Sequence, residues 1–240
     1  MLASQDLSAI FIYLLTGTQV TLEVTAAALV LAVLSAFILA TLRVSHNAPL
    51  RYLAGFVVEG FRGTSALVQL FWAYYVFPMF GFQLSPFWAA TFVLGLNCGS
   101  YFSEIVRSSF DAVPRGQKEA SVALHLSRWY VFRHVTLPQA LPILIPGFGN
   151  TLITLLKFTS LASLVTVQEL SFRAGQIKST TGSTAGIYLV TLAIYFLLSV
   201  VLGSAARLWE RHAAAAAGRG DASRIGTRGK SQIPDWALSK

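Results

Sequence analysis

The sequence predicts an all-α integral membrane protein of about five transmembrane helices, and three observations carry that expectation. Of the 240 residues 55% are hydrophobic and only 12% charged, too few charges to solvate a globular surface. Uncharged stretches of membrane-spanning length recur along the chain. No succession of alternating ten-residue segments suggests a barrel, and open strands would leave backbone groups unpaired in lipid.

The elements follow in order. Val24 to Leu42 is 19 residues without a charge, enough to cross about 30 Å of hydrocarbon at 1.5 Å per residue. The first basic residue is Arg43, so no positively charged region opens a cleavable signal, and this first span is expected to stay in the protein. Residues 1–16 read as a short outer segment, and residues 17–210 as the membrane domain. Gly63 to Ser103 is 41 uncharged residues, too long for one span, with turn chemistry between Pro78 and Pro86. That run predicts a hairpin of spans two and three, with span two beginning near Tyr52 and Glu59 and Arg62 in its first turns. Val135 to Leu156 and Ser179 to Ala206 supply spans four and five. From Arg211 to Lys240 the chain becomes polar and basic around an alanine run, which reads as a poorly ordered cytoplasmic tail.

The formal charge of +8 comes from 18 basic and 10 acidic residues, and their placement is one-sided. Arg43, Arg51 and Arg62 flank the first loop, five more fall in the third, and seven lie from Arg207 onward. The opposite side carries Arg173 and Lys178. The positive-inside rule therefore predicts an N-terminus outside and a C-terminus inside, and accounts for the basic excess without nucleic acid. Cys98 sits in an apolar stretch and reads as a packing residue. His46, His125, His134 and His212 show no metal-ligand spacing, so no metal is expected.

The connection between spans three and four, residues 108–138, is about thirty residues long, where helix bundles usually need two to eight. Gln117 to Leu126 lacks Gly and Pro and places Ala120, Ala123 and Leu124 on one helical stripe. Ser127 can cap a second short helix containing Trp129, Tyr130 and Phe132, and Pro138 marks the start of span four. The prediction is a helical hairpin on the cytoplasmic face, presenting apolar side chains to a protein partner.

These residues resemble the inner-membrane permease subunits of ABC importers, in the polar amino acid branch that includes histidine, glutamine and opine permeases. The signature of that family is Gly-Gln-x-Glu-Ala-Ala, three residues and a Gly, then a stretch ending in Leu-Pro. The chain matches at Gly116, Gln117, Glu119, Ala120, Leu137, Pro138, Gln139 and Ala140, and departs at Ser121 and His125. Phe61-Arg-Gly-Thr-Ser65, Tyr101-Phe-Ser-Glu-Ile-Val-Arg107 and Lys157-Phe-Thr-Ser-Leu161 extend the resemblance over about Gly17 to Glu210. It implies that the loop carries a coupling helix seated in a groove of an ATP-binding subunit, with Glu119, Ala120 and Leu124 at the docking surface. His125 stands where the family places a Gly, a position explained by positive φ, which His tolerates better than most residues.

Glu104 and Lys157 fall in or near spans, where ionisable groups are costly and face a polar interior or each other. They read either as a structural pair or, with Thr159, Ser160 and Arg62, as the lining of a solute route. The aromatics Trp72, Tyr74, Tyr75, Phe77 and Phe80 read as an interfacial belt. No Gly-x-x-x-x-Gly-Lys-Ser/Thr cradle for phosphate occurs, so this chain is expected to bind no cofactor and to leave ATP to a partner. The partners implied are ATP-binding subunits, a second permease subunit (the same chain or a sister) and an extracytoplasmic solute-binding protein. The residues alone leave open a self-sufficient secondary transporter or channel, with Glu104 and Lys157 as its ion-coupling pair.

Overall fold

A computed structural model describes residues 7–216, and all the regular structure among them is helical. Helix α1 runs Leu7–Arg43, α2 Ala48–Gly63 and α3 Ala66–Phe71. Helix α3 continues through a π-helical turn at Trp72–Val76 and a 3₁₀ turn at Phe77–Phe80. Helix α4 covers Pro86–Asp111, α5 Arg115–Ala123 and α6 Arg128–Val131. A π-helical turn at Phe132–Thr136 leads into α7, Leu137–Phe158. A 3₁₀ stretch at Thr159–Val165 follows, and α8 (Leu170–Thr181) and α9 (Thr184–Ala216) complete the chain.

Among the described residues three helical stretches are long and apolar enough to cross a membrane: Ser8–Arg43, Arg128–Val165 and Thr184–His212. The turn expected between Pro78 and Pro86 is present. Gly81 ends the 3₁₀ turn at φ 87°, and the Ser85 hydroxyl caps α4 by accepting from the Trp88 backbone N–H. The first six residues of the tail expected from Arg211 onward, 211–216, are helical. Helix α9 runs on to Ala216, because alanine is the best helix former; residues 217–240 lie outside the described part.

Helix α4 sits at the centre and packs most heavily on α1. The close approach comes from small residues in register: Gly95 and Gly99 on α4 face Ala28, Ala32 and Ser35 on α1. Around that crossing Val24, Leu70, Leu94, Leu155 and Val165 close an apolar core drawn from four helices and the 3₁₀ stretch. Helix α9 packs on α7 and α8 by one edge; only 6% of its most apolar window is buried within the single chain.

Helix α2 starts at Ala48, earlier than the expected Tyr52. Because α2 also ends at Gly63, Glu59 and Arg62 lie not in the first turns but toward the end, Arg62 fourteen residues on, or about 21 Å along the axis. Between α2 and α3 the backbone turns extended at Thr64 and Ser65, which frees carbonyls at the end of α2 that need other donors. Side chains do so. Asn97 and Gln69 amides donate to the Phe61 carbonyl at 3.0 and 2.9 Å, Tyr101 donates to Arg62 O at 3.2 Å, and Thr64 to Gly60 O at 2.7 Å.

Candidate functional site

The loop between α4 and α7 folds as a hairpin of two short helices. Its turn is a complete Schellman motif: His125 N–H donates to Val122 O at 2.9 Å and Leu126 N–H to Ser121 O at 3.1 Å. The motif demands a left-handed residue, and His125 supplies it at φ 53°. This is the backbone reason a glycine suits the position. His125→Gly is accordingly expected to stabilise the turn by about 0.5 kcal/mol, the relief of left-handed strain exceeding the added chain entropy. Slower amide exchange at Leu124 to Leu126 would register it; faster exchange would refute it.

Ser127 caps α6 as its sequence position suggests, accepting from Tyr130 N–H at 3.3 Å. Stacking of Trp129 on Phe132, and of Phe132 against Phe110, ties α6 to the end of α4. Glu119, Ala120, Ala123 and His125 are exposed, and around them Val122, Leu124 and Trp129 expose 74%, 70% and 68% of their surfaces. Ser121 is turned inward instead, buried and bonded to Gln117 O at 2.7 Å, so it shapes the hairpin rather than its outer face. Gly116 is exposed, with open space around its Cα. The Gln117 side-chain oxygen accepts from Gln139 on α7, a direct link from the hairpin to a long apolar helix. Together Val122, Leu124 and Trp129 form an exposed apolar surface on a hairpin that is joined to α4 through Phe110 and Phe132 and to α7 through Gln117 and Gln139.

Glu104 and Lys157 are not brought together. Glu104 is half-buried where α1, α2 and α4 meet. One carboxylate oxygen accepts from Arg107 (3.2 Å to Nε) and the other from Arg43, while Arg62 stands 3.9 Å away. The pair fails because Lys157 lies on α7 beside a different cavity of about 520 Å³, lined also by Ser160, Tyr195 and Arg207. Thr159 is buried, donating to Leu156 O, and Ser160 donates to Lys157 O, so both hydroxyl protons are spent on the helix end. Arg62 and Glu104 instead share a cavity of about 450 Å³ with Tyr101, Asn150 and Thr154.

One residue that sequence reasoning passed over organises the other end of the molecule. Glu169, in the turn joining α7 to α8, is fully buried. It accepts from Phe172 N–H at 2.8 Å, the Tyr195 hydroxyl at 2.6 Å and the Thr21 hydroxyl at 3.4 Å, linking α1, α8 and α9. A signal was available: Glu169 is the one charge between Lys157 and Arg173.

The family of inner membrane components of binding-protein-dependent transport systems matches residues 28–214. A probable amino-acid ABC transporter permease protein of Sinorhizobium fredii is 36% identical over 200 residues, covering 81% of this chain and 84% of that protein. The L-cystine transport system permease protein of Bacillus subtilis is 38% identical over 196 residues, with the same coverage of 81% and 84%. A crystal structure of an amino acid ABC transporter superimposes with a TM-score of 0.81 at 30% identity, over 88% of this chain and all of that one. On the hairpin, the helical architecture and these matches together, the chain belongs to the inner membrane permease components of binding-protein-dependent ABC transport systems.

Proposed function

We propose that the chain is the transmembrane subunit of an importer for polar amino acids or related compounds such as opines, forming the solute route and coupling it to ATP hydrolysis on separate subunits. In this reading α1, the broken α2–α3 unit, α4, α7 and α9 are five spans, with the N-terminus outside and the C-terminus inside. A second permease subunit covers the exposed face of α9, and a soluble binding protein delivers cargo at the outer face. The relatives named for amino acids and cystine support the cargo class. The observation that carries the reading is the exposed Val122–Leu124–Trp129 surface on a hairpin tied to α7 through Gln117 and Gln139. An apolar patch of that kind, on a loop far longer than connection requires, fits a groove in a partner.

The docking assignment predicts that Glu119→Lys and Leu124→Asp each lower co-purification of the cognate ATP-binding subunit at least tenfold, a loss of about 1.4 kcal/mol. Membrane insertion should be unchanged, because neither side chain is buried in this chain. Full coupling and uptake by both variants would refute the assignment.

A further inference from the structure

Where α1 ends, a cavity of about 390 Å³ opens between α1, α2 and α4, lined by Arg43, Arg51, Tyr52, Gly55, Phe56 and Arg107. Three of those six residues carry guanidinium groups, and none carries a carboxylate. Two of the three are already paired. Arg43 and Arg107 both bond Glu104, and Arg107 also reaches Asp111 at 3.2 Å. With Arg62 and Glu59 they form a cluster of three cations and three carboxylates, balanced in itself.

Arg51 is the surplus charge, a fourth guanidinium against three carboxylates. Among the described residues it forms no ion pair. One of its N–H groups donates to the Ser45 carbonyl at 3.3 Å, and the guanidinium lies 5.4 Å from the centroid of the Tyr52 ring. The floor of the cavity is open at Gly55, where a Cβ would have no atom within 4 Å.

The surroundings indicate which anion suits that charge. The apolar stretch of α1 long enough to cross a membrane ends at Arg43, so the cavity stands at a membrane border. Beside it Tyr52, Leu53 and Phe56 are exposed on α2, while Ala54 and Val58 bury the opposite face of the same helix. Phe56 also lines a second hollow of about 220 Å³, together with Val57 and Phe61. A cationic notch and an apolar hollow that share one phenylalanine match a molecule with an anionic head and hydrocarbon chains. A free phosphate would use only the first.

We propose that the notch binds the headgroup phosphate of an anionic phospholipid, with Arg51 supplying the uncompensated charge and the acyl chains lying against Phe56. The planar donor fork of arginine matches phosphate oxygens. A zwitterionic lipid brings its own cation, which the notch repels, so net negative headgroups are preferred. The site concerns the lipid around the chain rather than its cargo, and it stands independently of the importer reading.

The test titrates the detergent-purified, delipidated full chain with dioleoylphosphatidylglycerol, dioleoylphosphatidylcholine or glycerol 3-phosphate, and counts bound molecules by native mass spectrometry. One phosphatidylglycerol per chain should bind at least tenfold more tightly than phosphatidylcholine or glycerol 3-phosphate. Arg51→Gln removes the surplus charge, and Gly55→Leu fills the notch without touching an ion pair. Each should weaken phosphatidylglycerol at least fivefold and melt with the wild type. Arg211→Gln, the same loss of charge at an exposed position on α9, should leave that affinity unchanged. Equal affinity for the two lipids would overturn the proposal, and that comparison needs no variant. Unchanged binding by Arg51→Gln or Gly55→Leu would overturn it as well. An equal loss in Arg211→Gln would reduce the effect to general charge attraction, and glycerol 3-phosphate binding as tightly as phosphatidylglycerol would make the ligand a soluble phosphate; either result refutes the lipid site.

Discussion

Gly99→Val is expected to abolish the folded protein or cost at least about 3 kcal/mol, the upper end of what overpacking exacts. A Cβ at Gly99 would overlap the Ser35 hydroxyl and stand 2.9 Å from the Ala32 carbonyl oxygen. The hydroxyl can rotate away, but the carbonyl is backbone and can yield only if α1 moves. Helix α1 is wedged along its length by Val24, Ala28, Ala32 and Ala36, all buried, so a shift at one point opens the whole seam. The measurement is a melting curve of the detergent-purified chain, with Gly55→Ala as control, because nothing lies within 4 Å of a Cβ there. A Gly99→Val protein that melts with the wild type would show that α1 and α4 do not cross in this register.

The second large effect is at Glu169. Replacement by Ala removes the acceptor for Phe172 N–H and the Tyr195 hydroxyl, leaving buried donors unmade, at about 1–3 kcal/mol for each. The α8 segment should come loose from α1 and α9, seen as faster amide exchange over Leu170 to Ile177. Unchanged exchange in Glu169→Ala would contradict that anchoring role. Burial raises the Glu169 carboxyl above its ordinary value, although the Tyr195, Ser171, Phe172 and Thr21 groups oppose the rise. A raised carboxylate pKa in the fold means the folded chain holds the proton more tightly than the unfolded one. This group's contribution is thus complete below the unfolded pKa and is lost as pH rises through the folded value. Glu169→Gln keeps an acceptor and carries no charge, so it should flatten that part of the pH profile while staying closer to wild type than Glu169→Ala.

The all-helical character and the long apolar stretches were legible because length and lack of charge are properties of contiguous sequence. So was the hairpin. The stripe at Ala120, Ala123 and Leu124, the Ser127 cap and the need for positive φ at His125 all depend on residues within five positions of one another. The place of Arg62 was misjudged because α2 ends at Gly63, in a break whose carbonyls are satisfied by side chains such as Asn97 and Tyr101 from far along the chain. Ala48-Pro-Leu at the start of α2 is a helix-opening signal that places the helix start before Tyr52. The Gly95-x-x-x-Gly99 spacing is visible in the sequence, yet spacing alone names no partner helix.

What the sequence by itself determined is the class of molecule, its long apolar helices and the form of the hairpin between α4 and α7, since these follow from local hydropathy and short-range backbone hydrogen bonding. Only the tertiary structure decided which charges meet. Glu104 could have faced Lys157 on chemistry alone. It takes Arg43, 61 residues earlier, because the crossing of α1 on α4 through glycine and alanine brings those two positions together and leaves Lys157 beside another cavity. Arg62, on α2, meets the same cluster as an ion-pair neighbour of Glu59 and Glu104, at 3.7 and 3.9 Å. Helix packing, which couples residues far apart in the chain, assigns such partners, and a one-dimensional pattern contains no term for it.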